Sequence, residues 1–217
     1  MSLVIEELEI TLAERSLVAV SRLAVAPGEV VTVMGPSGSG KSTLLAWLSG
    51  ALDPAFRARG RVTLDGKDVS ALPPHRRRIG LLFQDDLLFP HLSVAGNLAF
   101  GLPASLRDRR AREARIAAAL EEAELGGFGP RDPATLSGGQ RARVALLRTL
   151  LAEPRALLLD EPFGKLDVAL RGRMREFVFE RVLRLGIPAL MVTHDPADAE
   201  AAAGPVLHVA PATPDGG

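Results

Sequence analysis

Val30-Val31-Thr32-Val33-Met34-Gly35-Pro36-Ser37-Gly38-Ser39-Gly40-Lys41-Ser42-Thr43-Leu44-Leu45 is the stretch on which the fold turns. Its first five residues are nearly continuous in apolar and β-branched side chains, as in a strand covered on both faces. They feed directly into Gly-x4-Gly-Lys-Ser, and the residues from Ser42 to Leu48 then read as a helix ending near Gly50. Glycines at 35 and 40 let the backbone wrap closely around phosphates with its N–H groups pointing inward. A lysine is needed to reach the outer phosphate oxygens and a hydroxyl to hold Mg²⁺, and here these are Lys41 and Ser42. Gly35, Pro36, Ser37, Gly38, Ser39, Gly40, Lys41, Ser42 and Thr43 are therefore the candidate nucleotide-binding residues. Of the 26 basic residues only three are lysine, at 41, 67 and 165, so a lysine in this loop does not come from a lysine-rich composition.

About a hundred residues later stands Leu136-Ser137-Gly138-Gly139-Gln140. A Ser-Gly-Gly turn that opens a helix is also a phosphate binder, because it presents free N–H groups at the positive end of the helix dipole. One site needs only one glycine-rich loop. The second turn therefore implies that the pocket is closed by another copy of the same kind of subunit.

The remaining composition sets limits. At 217 residues the chain is long enough for a sizeable core, with one compact unit plus an inserted or appended lobe expected. Its 47% hydrophobic and 24% charged residues are ordinary for a globular protein, and equal numbers of acidic and basic groups argue against a general nucleic-acid binder. The basic cluster from Arg107 to Arg115 is interleaved with Glu113 and followed by Glu121, Glu122 and Glu124, the pattern of a solvated helix face. Without cysteine there is no disulfide and no thiolate metal site. No apolar run approaches the roughly eighteen residues of a membrane span, so a membrane process would be served by docking onto another protein.

Along the chain, the first third is strand-rich: Leu3-Val4-Ile5 with Leu8-Glu9-Ile10, Leu17 to Val20 and Leu23 to Val25 are short apolar or alternating runs. Asp65-Gly66 after Arg61 to Leu64 is a hairpin signal. Ile79 to Phe83 reads as a buried strand, Gln84 to Pro103 as irregular, and about Ser105 to Ala152 as helix-rich, with Ile116 and Leu120 on one face of an amphipathic helix. Ala156 to Leu159 ends in Asp160-Glu161, and Pro188 to Thr193 ends in His194-Asp195. Short apolar strands with polar carboxyl ends, separated by a crossover helix from Ala169 to Leu185, form the αβ pattern of a phosphate-loop sheet. Asp160 is the carboxylate placed to complete a Mg²⁺ shell, and Glu161 beside it is free to orient or deprotonate an attacking water. His75, His91 and His208 have no such context and read as surface or packing residues.

With these motifs in hand, the chain resembles the nucleotide-binding subunits of ABC transporters over roughly residues 3 to 209. Leu136 to Gln140 with its helix looks like the signature motif, Gln84 after Phe83 like the Q-loop, Leu166-Asp167 like the D-loop, and His194 like the switch histidine. The resemblance implies an α/β P-loop (RecA-like) core over residues 1–84 and 153–210, which includes an N-terminal antiparallel β subdomain. It also implies an inserted α-helical subdomain over about 85–152, while the tail from 211 to 217 reads from its own residues as disordered. The resemblance implies ATP and Mg²⁺, and a head-to-tail dimer in which the P-loop, Gln84, Asp160, Glu161 and His194 face Ser137, Gly138, Gly139 and Gln140 of a second subunit. Ser42, Gln84 and Asp160 would then meet the metal, with Glu161, His194 and Gln84 in catalytic roles. Membrane permease subunits and an extracytoplasmic solute-binding protein would be partners at the cytoplasmic face of the membrane, with no nucleic acid.

The run Asp160-Glu161-Pro162-Phe163 and the run Leu166 to Arg171 are similar to short import ATPases for thiamine, iron, molybdate or sulfate-type solutes. Other readings are an exporter or lipoprotein-release ATPase, a soluble ABC ATPase of DNA repair or translation, and a small-molecule kinase, which would not explain Ser137 to Gln140. Leu87, Leu88, Phe89 and Leu92 are the candidates for receiving the membrane subunit. The sequence also departs from the family pattern. No aromatic stands near Leu12 to Ser16, which leaves adenine to Leu12 or Val18, and Gly164-Lys165 replaces the usual D-loop serine and its neighbour. With only a short stretch after Val209, transport regulation through a C-terminal domain of the kind found in longer import ATPases is not expected.

Overall fold

Two hydrophobic periodicities build two sheets. The computed structural model describes residues 1–13, 15–36 and 38–209, apart from the Ala169 side chain; the tail 211–217 lies outside the described residues. Alternating segments form β1 (Leu3–Leu12) and β2 (Arg15–Val25), and the continuous apolar run forms β3 (Val30–Met34) ahead of α1 (Lys41–Ser49). Next come β4 (Phe56–Leu64), β5 (Lys67–Asp68), the single turn α2 (Pro74–Arg77) and β6 (Ile79–Leu82). Helices α3 (Val94–Gly101), α4 (Arg109–Glu122) and α5 (Gly138–Leu151) follow. The chain then alternates through β7 (Ala156–Asp160), α6 (Val168–Leu185), β8 (Ala189–Thr193), α7 (Pro196–Ala202) and β9 (Val206–His208).

The antiparallel sheet has the order β2-β1-β4-β5 and the parallel sheet β6-β7-β8-β3-β9. Leu3, Ile5, Leu8 and Ile10 are all buried, although the phase of alternation slips by one between Ile5 and Leu8. A bulge absorbs the slip: Glu7 has φ 48°, the pairing with β4 shifts between Glu6 and Glu9, and Gly60 (φ 134°) lies against the Leu8 backbone. The two short runs of the sequence are thus one strand. Asp65 and Gly66 both have positive φ, as a two-residue type I′ hairpin requires.

Three cores result. One joins β1, β2, β4 and α1 to Val31, Val33, Leu158, Leu190 and Val192 of the parallel sheet. The opposite sheet face, through Leu157, Leu159, Ala189 and Met191, meets Met174, Val178 and Val182 of α6 and Leu146 of α5. The third lies among α3, α4 and α5, from Val94 to Leu151, and contains Ile116 and Leu120. Helix α5 contributes to both of the last two, Leu146 to one and Val144 and Leu147 to the other.

Two expectations are corrected. The strand expected over Ile79 to Phe83 ends at Leu82 and lies at the edge of its sheet rather than buried, and Phe83 just beyond it is exposed. The stretch from Gln84 to Pro103 is not wholly irregular, because α3 forms within it. Ser93 caps that helix by accepting from the Gly96 N–H at 3.1 Å. Buried Asn97 accepts from the Phe89 N–H at 2.8 Å and donates to the carbonyls of Phe89 and Ser93, both at 3.1 Å. Its glycines and asparagine hide this helix from propensity arguments.

Arg77 anchors the carboxyl end of α1. Its guanidinium is buried and donates to the carbonyls of Trp47 (2.7 Å), Leu48 (3.0 Å) and Leu72 (2.8 Å), as well as to that of Ser70. A Cβ on Gly50 would come within 2.7 Å of Arg77 Nε. Arg77→Met is expected to cost about 3 kcal/mol in urea unfolding, because it strands buried carbonyls. A loss well under about 1 kcal/mol would remove Arg77 from this role.

Candidate functional site

Parallel pairing puts four strand ends on one edge of the sheet. Met34 pairs with Thr193, Asp160 with Val192, and Leu82 with Leu159, so the residues that follow each strand leave at one level. These are the glycine loop after β3, Gln84 just beyond β6, Asp160-Glu161 at the end of β7 and His194 after β8.

The glycine loop is tightly built. Gly38 (φ 80°) and Gly40 (φ 84°) are left-handed, and a Cβ on Gly40 would come within 2.5 Å of Val18. A Cβ on Gly35 would fall 2.8 Å from Ser39 Oγ, a buried hydroxyl without a hydrogen-bond partner among the described residues. Buried Lys41 turns its Nζ back to donate to the carbonyls of Gly35 (2.7 Å) and Pro36 (2.8 Å). The ammonium is thereby held inside the loop that a phosphate would fill. Ser42 and Thr43 open α1 behind it; Ser37 lies outside the described residues.

The Ser42 side chain lies beside the Asp160 carboxylate. Burial pushes the Asp160 carboxyl above its usual range and the Glu161 charge adds to this, while Ser42 and Lys41 oppose it. Glu161 itself sits in the left-handed region at φ 44°, a costly conformation for a non-glycine residue. Its N–H donates to the Val192 carbonyl at 2.9 Å, and its Oε1 lies 3.1 Å from Nδ1 of His194, which is 66% exposed. Gln84 is exposed, with its amide nitrogen next to Gly164.

Ser137 caps α5 in a complete capping box. Its Oγ accepts from the Gln140 N–H at 3.3 Å, and Gln140 Oε1 accepts from the Ser137 N–H at 2.9 Å. The Gln140 side chain thus shapes the turn, and Gly138 at the start of the helix stays only partly covered. Gly139 is buried against Leu170, whose Cδ2 would be 2.3 Å from an added Cβ. Gly138 borders a cleft of about 600 Å³ shared with Gln84, Asp86, Leu88, Arg141 and Lys165. No glycine-loop residue lines that cleft among the described residues.

Several contacts here lie beyond the reach of sequence reading, since their partners are 55 to 80 residues apart. Lys165 pairs with Asp85, which gives the unusual D-loop lysine a partner. Arg141 of α5 meets Asp86 at 3.4 Å, and Arg148 donates to the Leu87 carbonyl at 2.8 Å. Leu87 is 55% exposed, and the Phe89 ring packs at a tilt against exposed Phe100 with centroids 4.8 Å apart, an aromatic that the loop reading passed over. Val18 is buried beneath Gly40, so of the two side chains considered for adenine only Leu12 is exposed.

No helix among the described residues is long and apolar enough to cross a membrane. The sequence model of the ABC transporter family matches residues 19–164. The chain is 50% identical over 199 residues to the uncharacterized ABC transporter ATP-binding protein YnjD of Escherichia coli (strain K12), covering 92% of this chain and 91% of that protein. It is 49% identical over 172 residues to the thiamine import ATP-binding protein ThiQ of Cereibacter sphaeroides, covering 79% of this chain and 73% of that protein. It is also 49% identical over 188 residues to the spermidine/putrescine import ATP-binding protein PotA of Frankia alni, covering 85% of this chain and 40% of that longer protein.

The raised Asp160 carboxyl has a consequence for the nucleotide-free chain. A carboxyl whose folded pKa exceeds its unfolded one stabilises the fold below the unfolded pKa, and that contribution is lost as pH rises through the folded value. Ionisation of Asp160 therefore opposes folding as pH rises. Asp160→Asn is expected to raise Tm at pH 7 by about 2–4 °C in scanning calorimetry, a gain that fades toward about pH 4. A lower Tm for the variant at pH 7 would contradict the assigned burial.

Proposed function

This chain belongs to the ABC transporter family and is an ATP-binding ATP hydrolase, and from that premise we propose how it works: two copies close head-to-tail over ATP and power solute import through a membrane permease. One observation carries the proposal. The glycine loop, Asp160, Glu161 and His194 share one sheet edge, whereas the Ser137 cap opens beside a cleft lined by Gln84 and Lys165 and, among the described residues, by none of the glycine loop. A site that uses both phosphate binders is then completed by a second copy.

In this reading the loop N–H groups and Lys41 hold the β- and γ-phosphates, and the partner's signature turn offers the N–H groups of Gly138 and Gly139 from the far side. Glu161 orients a water and takes its proton as the water oxygen bonds to the γ-phosphorus and the bond to the ADP oxygen breaks. The contact between His194 Nδ1 and Glu161 holds both side chains at that point. Ser42, Asp160 and Gln84 are oxygen donors suited to Mg²⁺, which takes one or two carboxylates and fills its shell with phosphate and water oxygens. When bound, the ion neutralises charge on the phosphates.

Residues 85–152 act as the inserted helical unit, with 1–84 and 153–210 as the nucleotide-binding core. The face formed by Leu87, Leu88, Phe89 and Leu92 receives the permease, and a solute-binding protein acts on its far side. The names of the import relatives support this direction of transport, and the chain is peripheral at the cytoplasmic face.

Two variants test the composite site. Glu161→Gln is expected to trap an ATP-bound dimer, read as a doubled mass by light scattering; a variant that stays monomeric with ATP would count against the reading. Ser137→Arg is expected to abolish turnover while the P-loop still binds nucleotide, measured by titration with a fluorescent ATP analogue. Full turnover in that variant would remove the signature turn from the site.

A further inference from the structure

Residues on both sides of His194 are tied to the first two turns of α6. Asp195 Oδ2 accepts from Arg171 at 2.7 Å and from Arg175 at 3.2 Å, and Asp198 Oδ1 accepts from Arg175 Nε at 2.6 Å. Thr193 Oγ1 donates to Asp198 Oδ2 at 2.6 Å and accepts from the Asp195 N–H at 3.1 Å. The same guanidinium of Arg171 donates through its other terminal nitrogen to the Leu166 carbonyl at 3.2 Å. Arg171 therefore grips the segment before α6 with one hand of its fork and the His194 segment with the other.

Stability alone is a poor account of this arginine. Its Nε is buried with no hydrogen bond among the described residues, which leaves a donor desolvated. It also lies near the amino end of α6, where the helix dipole disfavours a cation and the first turn holds no acidic residue. Glu161 and His194 touch one another, yet His194 is otherwise open to solvent, so its placement depends on Thr193 and Asp195.

We infer that Arg171 is a positioning residue for His194: by bridging the Leu166 carbonyl and the Asp195 carboxylate, it makes the histidine's position follow that of the D-loop. The inference rests on the composite-site reading, in which the D-loop faces the second copy. Closure of the dimer against residues 166–168, where Val168 is 87% exposed, then sets the reach of His194 toward the phosphate through one side chain.

The experiment uses the full chain. Arg171→Met is expected to lower kcat for ATP hydrolysis at least tenfold with KM changed by less than twofold. Arg171→Lys should remain within threefold of Arg171→Met, because one ammonium cannot serve both acceptors in fork geometry. In a Glu161→Gln background, Arg171→Met should still dimerise with ATP. The inference is overturned if Arg171→Met keeps more than a third of kcat, if Arg171→Lys restores full turnover, or if KM rises more than fivefold together with loss of ATP-dependent dimerisation. If Glu161→Gln alone does not dimerise, the composite site fails separately, whatever the kcat of Arg171→Met.

Discussion

Register in the parallel sheet is the constraint from which the rest of the molecule follows. Main-chain pairing of β3 with β8 and of β8 with β7 brings Gly35, Asp160 and His194 out at one edge, although Gly35 lies more than a hundred residues before the other two. A slip of one residue in β7 would exchange Leu157 and Leu159 with Leu158 between two different cores. Packing on both faces therefore enforces the alignment that the chemistry uses. The energetic demands of the site, a left-handed Glu161 and a desolvated Asp160, are carried by strands with no exposed apolar surface to lose.

Around that edge, charged side chains join segments distant in sequence. Arg77 closes α1 behind the P-loop, Arg141 and Arg148 hold the 86–87 segment to the signature helix, and Glu122 of α4 takes Arg184 of α6 at 2.8 Å. Several of these arginines bond to carbonyl oxygens rather than to carboxylates, and a planar fork of five donors lets one side chain reach carbonyls on more than one segment. With 26 basic residues of which only three are lysine, the composition matches this use.

Much of the fold was legible because its signals are local. The apolar run ending at Met34, the glycine spacing from 35 to 40, the hairpin at Asp65-Gly66 and the polar ends of β7 and β8 are each set by neighbours within a few residues. The legible part stopped where a long-range contact overrides a local pattern. The bulge at Glu7 split β1 into two apparent runs, because Gly60 of the adjacent strand has to approach Leu8. Helix α3 was hidden by glycines and Asn97, whose amide instead holds the loop from Phe89 to Ser93. Val18 looked free to meet adenine and proved to be the floor under Gly40.

By itself the sequence determined the phosphate loop, the carboxylates that follow β7 and the helix-opening serine, since backbone conformation, strand periodicity and capping are written in short stretches of residue types. Tertiary structure alone decided which of these share an edge, that Lys165 answers Asp85, and that Arg171 spans from Leu166 to Asp195. The physical reason is range. Local preferences act over a turn or a strand, whereas a guanidinium fork or a buried methyl group chooses its partners only after the sheets and helices have brought distant segments together.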